Sequence, residues 1–267
     1  MPILHLLLVA ILQGVTEFLP ISSSGHLVLL PALTGLDDQG LAIDVAAHVG
    51  TLGAVILFFW RDVRLILTGL PSLLRGRVDS QGAWLGLCLI VSTIPVVVAG
   101  LLISLSGLDA AMRSVAVIGW STLVFGLVLY WADRTAPLAR PAESWSLRHA
   151  LIMGLWQVLA LIPGTSRSGI TITGGRSLGY SREASARLAM LMSIPTILAS
   201  GALLSLDVIG DADAALLRDS GIAAVFSLGA ALIALKLMFR LLQSVSFTPY
   251  VIYRIALGTI LLAVAYT

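Results

Sequence analysis

The sequence predicts an all-α, polytopic membrane protein with six transmembrane helices and two re-entrant helix-loop-helix pairs, arranged as an inverted-topology repeat. Its apolar composition is the first reason. Of the 267 residues, 58% are hydrophobic and 11% are charged, whereas about 25% of a soluble domain is charged. A bilayer can accommodate this much apolar surface, and a single soluble core of this length cannot. The net charge of +2 gives no indication of a nucleic-acid partner.

Six apolar runs of spanning length are the second reason, because crossing a bilayer takes about 20 apolar residues. Aromatic residues typical of membrane interfaces end two of the runs, at Phe58-Phe59-Trp60 and Tyr130-Trp131. The single cysteine, Cys88, lies inside a run, so an intrachain disulfide is excluded and a small buried hydrophobe is expected. The predicted spans are 41–60, 83–105, 112–132, 186–206, 220–239 and 248–266.

Two shorter apolar runs, 3–19 and 150–163, are the third reason. Each ends at a polar loop rich in Ser and Gly, and each is followed by a short apolar piece, at 27–34 and 170–178. A helix-loop-helix that enters and leaves on one side of the membrane fits this pattern, because irregular backbone at membrane depth is tolerated where it lines a cavity.

One integral-membrane domain, 1–267, is therefore expected, with pseudo-repeat halves of about 1–135 and 146–267. Each half holds one re-entrant pair and three spans. Since three is odd, the second half must be inverted relative to the first. This plan is known from transporters, whose site lies near the bilayer midplane where the broken helices meet.

Charge asymmetry predicts the orientation of the chain. By the positive-inside rule the basic connections are cytoplasmic, so both termini lie outside, the first polar loop enters from outside and the second from inside. The basic residues are Arg61, Arg64, Arg75, Arg77, Arg134, Arg140, Arg148, Arg176, Arg182, Arg187, Lys236 and Arg240. The acidic residues of the opposite side are Asp37, Asp38, Asp109, Asp207, Asp211, Asp213 and Asp219.

The first polar loop, 13–26, carries groups suited to metal binding and proton transfer. Gln13 and Glu17 share one helix face, and a carboxylate with an amide oxygen suits a hard cation such as Mg²⁺ or Ca²⁺. A polar pair that packs helices is the alternative. His26 can act as the base for a nucleophile within Ser22-Ser23-Ser24, or can protonate a leaving group. A helix N-cap accounts for one of the serines.

The second polar loop, Pro163-Gly164-Thr165-Ser166-Arg167-Ser168-Gly169, is typical of an anion site. Free N–H groups at a helix start attract phosphate, and the planar, always charged fork of Arg167 suits phosphate oxygens. An arginine that reaches out to water would lie at a span end instead. Two alternatives stay open for Asp44 and His48, a packing pair or an extension of the metal or proton network. Arg176 is expected to be a cytoplasmic anchor, with a position facing the phosphate as the alternative.

Together the loops offer a cation site, a nucleophile, a base and an anion clamp, which is the set that phosphoryl transfer or phosphate-ester hydrolysis requires. The alternative is a transporter or flippase of a phosphorylated lipid, which needs the clamp but no nucleophile. A structural scaffold does not explain why Glu17, His26 and Arg167 lie at membrane depth, where an unpaired ionisable group costs several kcal/mol.

These motifs resemble those of the undecaprenyl-diphosphate phosphatase family, integral-membrane enzymes linked to bacitracin resistance. Gln13-x-x-x-Glu17 is similar to the family's (E/Q)xxxE pattern, Ser22-Ser23-Ser24-Gly25-His26 continues it, and 163–169 is similar to its PGxSRSG motif. Phe58-Phe59-Trp60-Arg61 and Ser181-Arg182-Glu183-Ala184-Ser185 are also similar to family segments. The resemblance therefore covers essentially the whole chain.

The resemblance implies a bacterial plasma-membrane enzyme that removes the terminal phosphate of a C55 isoprenyl diphosphate and recycles the lipid carrier of peptidoglycan synthesis. Glu17 would be a metal ligand or a water-positioning carboxylate, with Gln13 as the second metal ligand. Ser23 would be the candidate nucleophile and His26 the acid/base, while attack by His26 or by water stays open. The implied phosphate-binding residues are Arg167, Ser22, Gly164, Thr165, Ser166 and Ser168.

The expected partners are the isoprenyl diphosphate, membrane lipids and a divalent cation, Mg²⁺ or Ca²⁺. The active site is expected to open to the outer face, and a homodimer is one alternative for the oligomeric state. A transporter or flippase of a phosphorylated isoprenoid lipid stays the alternative function.

Overall fold

The structure is a computed structural model that describes residues 2–35, 39–108, 112, 114–205 and 214–267. Within these residues the regular structure is helical, apart from an isolated bridge between Arg140 and Tyr180. The α-helices are α1 Ile3–Phe18, α2 Ser23–Thr34, α3 Leu41–Phe58, α4 Trp60–Leu74, α5 Gln81–Ser106, α6 Val115–Thr135, α7 Leu147–Val158, α8 Arg167–Ser177, α9 Arg182–Ser205, α10 Ala214–Leu242 and α11 Thr248–Tyr266. Single 3-10 turns form at Ala142–Ser144 and Leu159–Leu161.

Six of the described helices are long and apolar enough to cross a membrane, which confirms the predicted number of spans. Large apolar side chains such as Ile233 and Ile252 are exposed on these helices, as expected where lipid is the neighbouring phase. The chain is therefore a multi-pass membrane protein. The six helices are α3, α5, α6, the Arg182–Leu203 part of α9, α10 and α11. Six acidic residues used to predict the orientation lie outside the described residues: Asp37, Asp38, Asp109, Asp207, Asp211 and Asp213.

Each shorter apolar run forms a helix that stops at its polar loop. Helix α1 ends at Phe18 and α2 begins at Ser23, whereas α7 continues as a 3-10 turn through Leu161 before α8 begins at Arg167. Pro20 and Pro163 lie in the two interruptions, where they lack the N–H that a continuing helix would need. Each motif therefore spans the break between two short helices and extends into them: Gln13 and Glu17 belong to α1, Ser23 to α2 and Arg167 to α8.

Glycines let the short helices approach the spans closely. A Cβ on Gly14 of α1 would lie 2.5 Å from the carbonyl oxygen of Ser227 in α10, and one on Gly154 of α7 would lie 2.4 Å from that of Ser92 in α5. Backbone therefore packs directly against backbone at both places. Helix α1 rests on α10 and helix α7 on α5.

A buried ion-pair cluster fixes the chain that follows α6. The fully buried Arg176 donates from Nε to Asp133 Oδ1 at 3.0 Å, and Arg182 donates from Nε to the same oxygen at 2.8 Å. Arg176 also binds four carbonyl oxygens, those of Asp133, Ala136, Pro137 and Tyr180. This arginine therefore clamps the segment after α6 to the region that leads into α9.

The basic connection 61–82 contains most of helix α4, which was not among the predicted helices. Its apolar residues lie on one side only, so the segment lacks the uniformly apolar character of a span. A Cβ on Gly69 would lie 2.2 Å from the Ala83 nitrogen, which shows how closely α4 packs on α5. Arg187 of α9 holds the N-terminal end of α4, through a contact of 2.5 Å from its Nη2 to Asp62 Oδ1 in the first turn of that helix.

Candidate active site

The two polar loops have the same local geometry. Ser22, with φ of 72°, and Ser166, with φ of 68°, are the residues other than glycine that have positive φ in the described part of the chain. Each immediately precedes a helix start. The Oγ atoms of Ser22 and Ser24 lie 3.1 Å apart, and so do those of Ser166 and Ser168. Since strained backbone of this kind concentrates at functional sites, both turns are candidates for a binding role.

Reciprocal hydrogen bonds join the two loops. The Gly164 N–H donates to Ser24 Oγ at 3.1 Å, and Ser168 Oγ donates to the Leu19 carbonyl oxygen at 2.9 Å. Each loop therefore holds the backbone of the other. Motifs from the two halves of the chain form a single site.

Glu17 and Arg167 meet at this junction. Arg167 Nη2 donates to Glu17 Oε1 at 2.6 Å, and both side chains are mostly buried, with exposed fractions of 13% and 8%. Arg167 Nη1 finds no hydrogen-bond partner among the described residues. Because a buried N–H without a partner is costly, half of the guanidinium fork is left for a further acceptor such as a phosphate oxygen.

The other carboxylate oxygen of Glu17 binds two predicted site residues. Gln13 Nε2 donates to Glu17 Oε2 at 2.8 Å, as the four-residue spacing predicts, and Ser23 Oγ donates to it at 3.3 Å. A serine hydroxyl becomes a nucleophile when a neighbouring base accepts its proton. Glu17 stands where such a base is needed.

His48 of α3 extends this network. Its Nε2 lies 3.1 Å from Gln13 Nε2 and 3.8 Å from Glu17 Oε2. Since an amide nitrogen only donates, His48 Nε2 accepts and its Nδ1–H donates to the Asp44 carbonyl oxygen at 2.8 Å. The Asp44 carboxylate accepts from Gln39 Nε2. The His48 imidazole therefore contacts the predicted site.

A polar cavity of about 200 Å³ lies between the two loops. Thr165 and Ser168, which were predicted to bind phosphate, are fully buried behind it. The cavity brings together most of the predicted catalytic and phosphate-binding residues. Its polar lining consists of Glu17, Ser22, Ser23, Ser24, His48, Gly164, Ser166 and Arg167.

His26 makes its contacts elsewhere. Its Nδ1 pairs with the Ser22 carbonyl oxygen at 2.6 Å, and its Nε2 pairs with the Tyr253 hydroxyl at 2.6 Å. The two rings are stacked, with centroids 5.5 Å apart and planes inclined by 8°. Both ring nitrogens are therefore engaged by the loop-one backbone and by α11.

Two residues of α11 that the sequence analysis did not single out contact the loops. Tyr253 binds His26, and the fully buried Arg254 binds the carbonyl oxygens of Gly164 and Thr165. An ionisable residue inside a membrane span is by default a functional candidate. Arg254 lies inside the predicted span 248–266, so its place in the sequence could have identified it as a functional candidate.

The oxygen donors near Glu17 fit a hard cation that is completed by substrate oxygens. Gln13 Oε1 is buried without a hydrogen-bond partner among the described residues, and a metal ion would satisfy it. The described residues contain no group of three or more His, Cys, Asp or Glu side chains that could hold a metal ion. Mg²⁺ is usually held by one or two carboxylates together with substrate phosphates. Glu17 and Gln13 suit that kind of site.

Comparisons with known proteins cover nearly the whole chain. Residues 6–260 match the family model described as "Bacitracin resistance protein BacA". An undecaprenyl-diphosphatase of Dinoroseobacter shibae is 65% identical over 267 residues, which is 100% of both chains. Proteins of the same name are 67% identical over 100% of both chains in Roseobacter denitrificans and 45% identical over 97% of both chains in Chromohalobacter salexigens. The similarity therefore includes both polar loops.

Proposed function

The chain belongs to the bacitracin resistance protein BacA family, and from this premise we propose that it hydrolyses undecaprenyl diphosphate to the monophosphate and phosphate. The protein is an integral-membrane phosphatase. Its reaction regenerates the C55 lipid carrier used in bacterial cell-wall synthesis and gives bacitracin resistance.

The ion pair between Glu17 and Arg167 is the observation that carries this proposal. It places the Arg167 guanidinium, which can bind phosphate, and the Glu17 carboxylate, which can accept a proton, in one cavity. A diphosphate head group brings several negative charges, which Arg167 Nη1 and the N–H groups at the start of α8 attract. A transporter would need the anion clamp but not the carboxylate beside a serine.

In the proposed reaction Ser23 Oγ attacks the terminal phosphorus while Glu17 accepts its proton. The bond from this phosphorus to the bridging oxygen breaks, and the isoprenyl monophosphate leaves with that oxygen. Water then attacks the phosphorus, the bond from phosphorus to Ser23 Oγ breaks, and Glu17 returns the proton to Ser23 as phosphate leaves. Arg167 and Ser166 stabilise the charge that spreads over the phosphoryl oxygens. The predicted roles of His26, as proton donor to the leaving group or as the attacking group, require one of its ring nitrogens to leave its partner, the Ser22 carbonyl oxygen or the Tyr253 hydroxyl. Direct attack by water stays the other alternative to Ser23.

The proposed cation, Mg²⁺ or Ca²⁺, would be held by Glu17 and Gln13. When bound, it supplies positive charge to the phosphate oxygens. Ser22 contributes a hydroxyl group to the cavity lining. The N–H and the carbonyl of Gly164 are already hydrogen-bonded, so Gly164 shapes the phosphate-binding loop together with the buried Thr165 and Ser168.

We also propose that the halves, about 1–135 and 146–267, are inverted repeats with re-entrant helix pairs. The equivalent turns at Ser22 and Ser166 and the corresponding contacts, α1 with α10 and α7 with α5, support this proposal. With the basic connections inside, both termini lie outside and the site opens to the outer face of the bacterial plasma membrane. The homodimer stays a prediction.

Phosphate release from an isoprenyl diphosphate by the purified protein in detergent tests the function. We expect release by the wild type and a loss of about 100-fold or more in Arg167→Ala. Arg218→Ala is the matched control, because the Arg218 side chain is 71% exposed and pairs with Asp219. Tight binding of the lipid diphosphate without release would favour the flippase instead. Full activity in folded Arg167→Ala would contradict the proposed site.

A further inference from the structure

Helix α11 contacts both polar loops through two adjacent residues, Tyr253 and Arg254. We propose that both are positioning residues for the hydrolysis, with Arg254 holding loop two in its phosphate-binding conformation and Tyr253 holding His26 of loop one. The inference rests on the proposed function. It gives a role in that reaction to a helix that lies outside both motifs.

Arg254 is buried, and it binds backbone carbonyl oxygens. Its Nε donates to Thr122 at 3.0 Å, and its Nη2 donates to Gly164 at 3.3 Å and to Thr165 at 2.9 Å. No carboxylate of the described residues pairs with this guanidinium. A rigid fork can bind carbonyls of two segments at once, which a lysine ammonium on a flexible stem does poorly.

Two glycines make room for the Arg254 side chain. A Cβ on Gly126 of α6 would lie 3.1 Å from Arg254 Cβ, and one on Gly169 of α8 would lie 2.7 Å from Arg254 Nη1. Nη1 has no hydrogen-bond partner in the described part of the chain. The guanidinium is therefore positioned by packing and by carbonyls, and its positive charge is left to favour an anion bound at loop two.

The carbonyls that Arg254 binds belong to the peptide units just before Ser166 and the start of α8. Gly164 has φ of +90° there, a conformation that L side chains rarely adopt. Its N–H already binds Ser24 Oγ, and its carbonyl oxygen accepts from Arg254 Nη2 and from Thr122 Oγ1 of α6, so Arg254 and Thr122 together fix the remaining polar group of this residue. The orientation of the helix start that attracts phosphate follows from these contacts.

Tyr253 plays the corresponding part for loop one. Its hydroxyl lies 2.6 Å from His26 Nε2, and the stacked rings restrict rotation of the imidazole. A tyrosine hydroxyl can donate or accept, so this bond persists whether or not His26 carries an extra proton. Because Tyr253 and Arg254 are neighbours on one helix, a shift of α11 moves the supports of both loops together.

Steady-state kinetics of Arg254→Lys tests the loop-two part. We expect KM for the isoprenyl diphosphate to rise about tenfold or more, because a displaced loop misplaces the phosphate. Arg176→Lys is the matched control: that arginine is also fully buried and bound to carbonyls, but it clamps the segment after α6. It should lower the melting temperature and leave KM unchanged.

Gly126→Ala is the second variant, for the case that Arg254→Lys does not fold. Its new methyl group pushes Arg254 by a few tenths of an ångström from α6 and touches neither motif, so a smaller rise of KM in the same direction is expected. Unchanged KM in the folded variants, with or without a lower melting temperature, overturns the role of Arg254.

A double-mutant cycle of Tyr253→Phe with His26→Ala tests the loop-one part. We expect Tyr253→Phe to lower kcat several-fold in the wild type and not in His26→Ala. Tyr266→Phe is the control and should leave kcat unchanged. Tyr266 also belongs to α11, and the substitution removes a hydroxyl that accepts from Trp120 Nε1 of α6 at 3.3 Å. An equal loss in both backgrounds, or no loss, overturns the role of Tyr253. Where His26→Ala has no measurable rate, the kcat of Tyr253→Phe decides alone.

These outcomes are distinct from a failure of the proposed function. An inactive wild-type protein would overturn the function itself. If the wild type is active and neither substitution changes KM or kcat, only the roles assigned to Tyr253 and Arg254 of α11 are overturned.

Discussion

Glu17 and Arg167, separated by 150 positions in the chain, form a contact of 2.6 Å between Oε1 and Nη2. Neither polar loop is complete without the other, because the carboxylate comes from the first and the guanidinium from the second. The pair is mostly buried, so losing either member leaves an uncompensated buried charge. Arg167 Nη1, which has no hydrogen-bond partner within the described ranges of the chain, marks the side on which a phosphate can be added.

Glu17→Gln is expected to lower kcat by about 100-fold or more, the usual contribution of a general base. The amide keeps the shape of the side chain but cannot accept the proton of Ser23 Oγ. KM does not test the base, because Arg167 is then released for phosphate while the proposed cation loses its carboxylate ligand. Glu183→Gln, at an exposed position of α9, is the control for phosphate-release kinetics. A kcat close to the wild-type value in Glu17→Gln would show that another group accepts the proton.

Gln13→Glu is expected to shift activity to lower concentrations of free Mg²⁺ or Ca²⁺. The substitution adds a second carboxylate four residues before Glu17, where two hard oxygen ligands hold a cation better than one. Without the cation, repulsion between the two carboxylates should reduce activity further than in the wild type. A titration of phosphate release against metal, after chelation, measures both effects. Identical titration curves would remove Gln13 from the cation site.

Gly164→Ala is expected to inactivate the enzyme and to lower its melting temperature. The new Cβ would lie 2.2 Å from Ser121 Oγ, at a backbone φ of +90°, and such strain costs about 1–3 kcal/mol. Gly229→Ala in α10 is the matched control, because no atom within 4 Å would meet its Cβ. That variant should be neutral or slightly stabilised. An active, equally stable Gly164→Ala would show that the turn can relax.

The six spans and both polar loops could be predicted because apolar runs and their interruptions are local features of the sequence. Gln13 and Glu17 could be paired for the same reason, since their spacing puts them on one helix face. Contacts across the bundle are not local: His26 meets Tyr253 across 227 positions, and Arg167 meets Glu17 across 150. The pattern of apolar and polar residues also does not reveal which buried arginine clamps a loop. The roles of Arg176 and Arg254 follow only from the carbonyl oxygens that they bind in other segments.

Asp133→Asn is expected to destabilise the fold by about 3–5 kcal/mol, the range for breaking a buried ion pair. Its carboxylate binds Arg176, Arg182 and the backbone N–H of Phe247. Asp62→Asn should cost less, because its partner Arg187 is one-third exposed and keeps Glu143 as a second partner. Thermal unfolding in detergent measures both variants. Equal losses would mean that burial does not set the strength of these pairs.

Single-cysteine labelling in intact cells tests the predicted orientation. The native Cys88 is fully buried and therefore gives no background with a membrane-impermeant thiol reagent. Thr267→Cys lies at the end of α11, on the side predicted to be outside, and should react in intact cells. Val78 is exposed in the basic connection after α4. Val78→Cys should react only after the membrane is permeabilised, because that connection carries Arg75 and Arg77 and is predicted to be cytoplasmic by the positive-inside rule. The opposite labelling pattern would show that the chain has the opposite orientation in the membrane, with the first polar loop open to the cytoplasm.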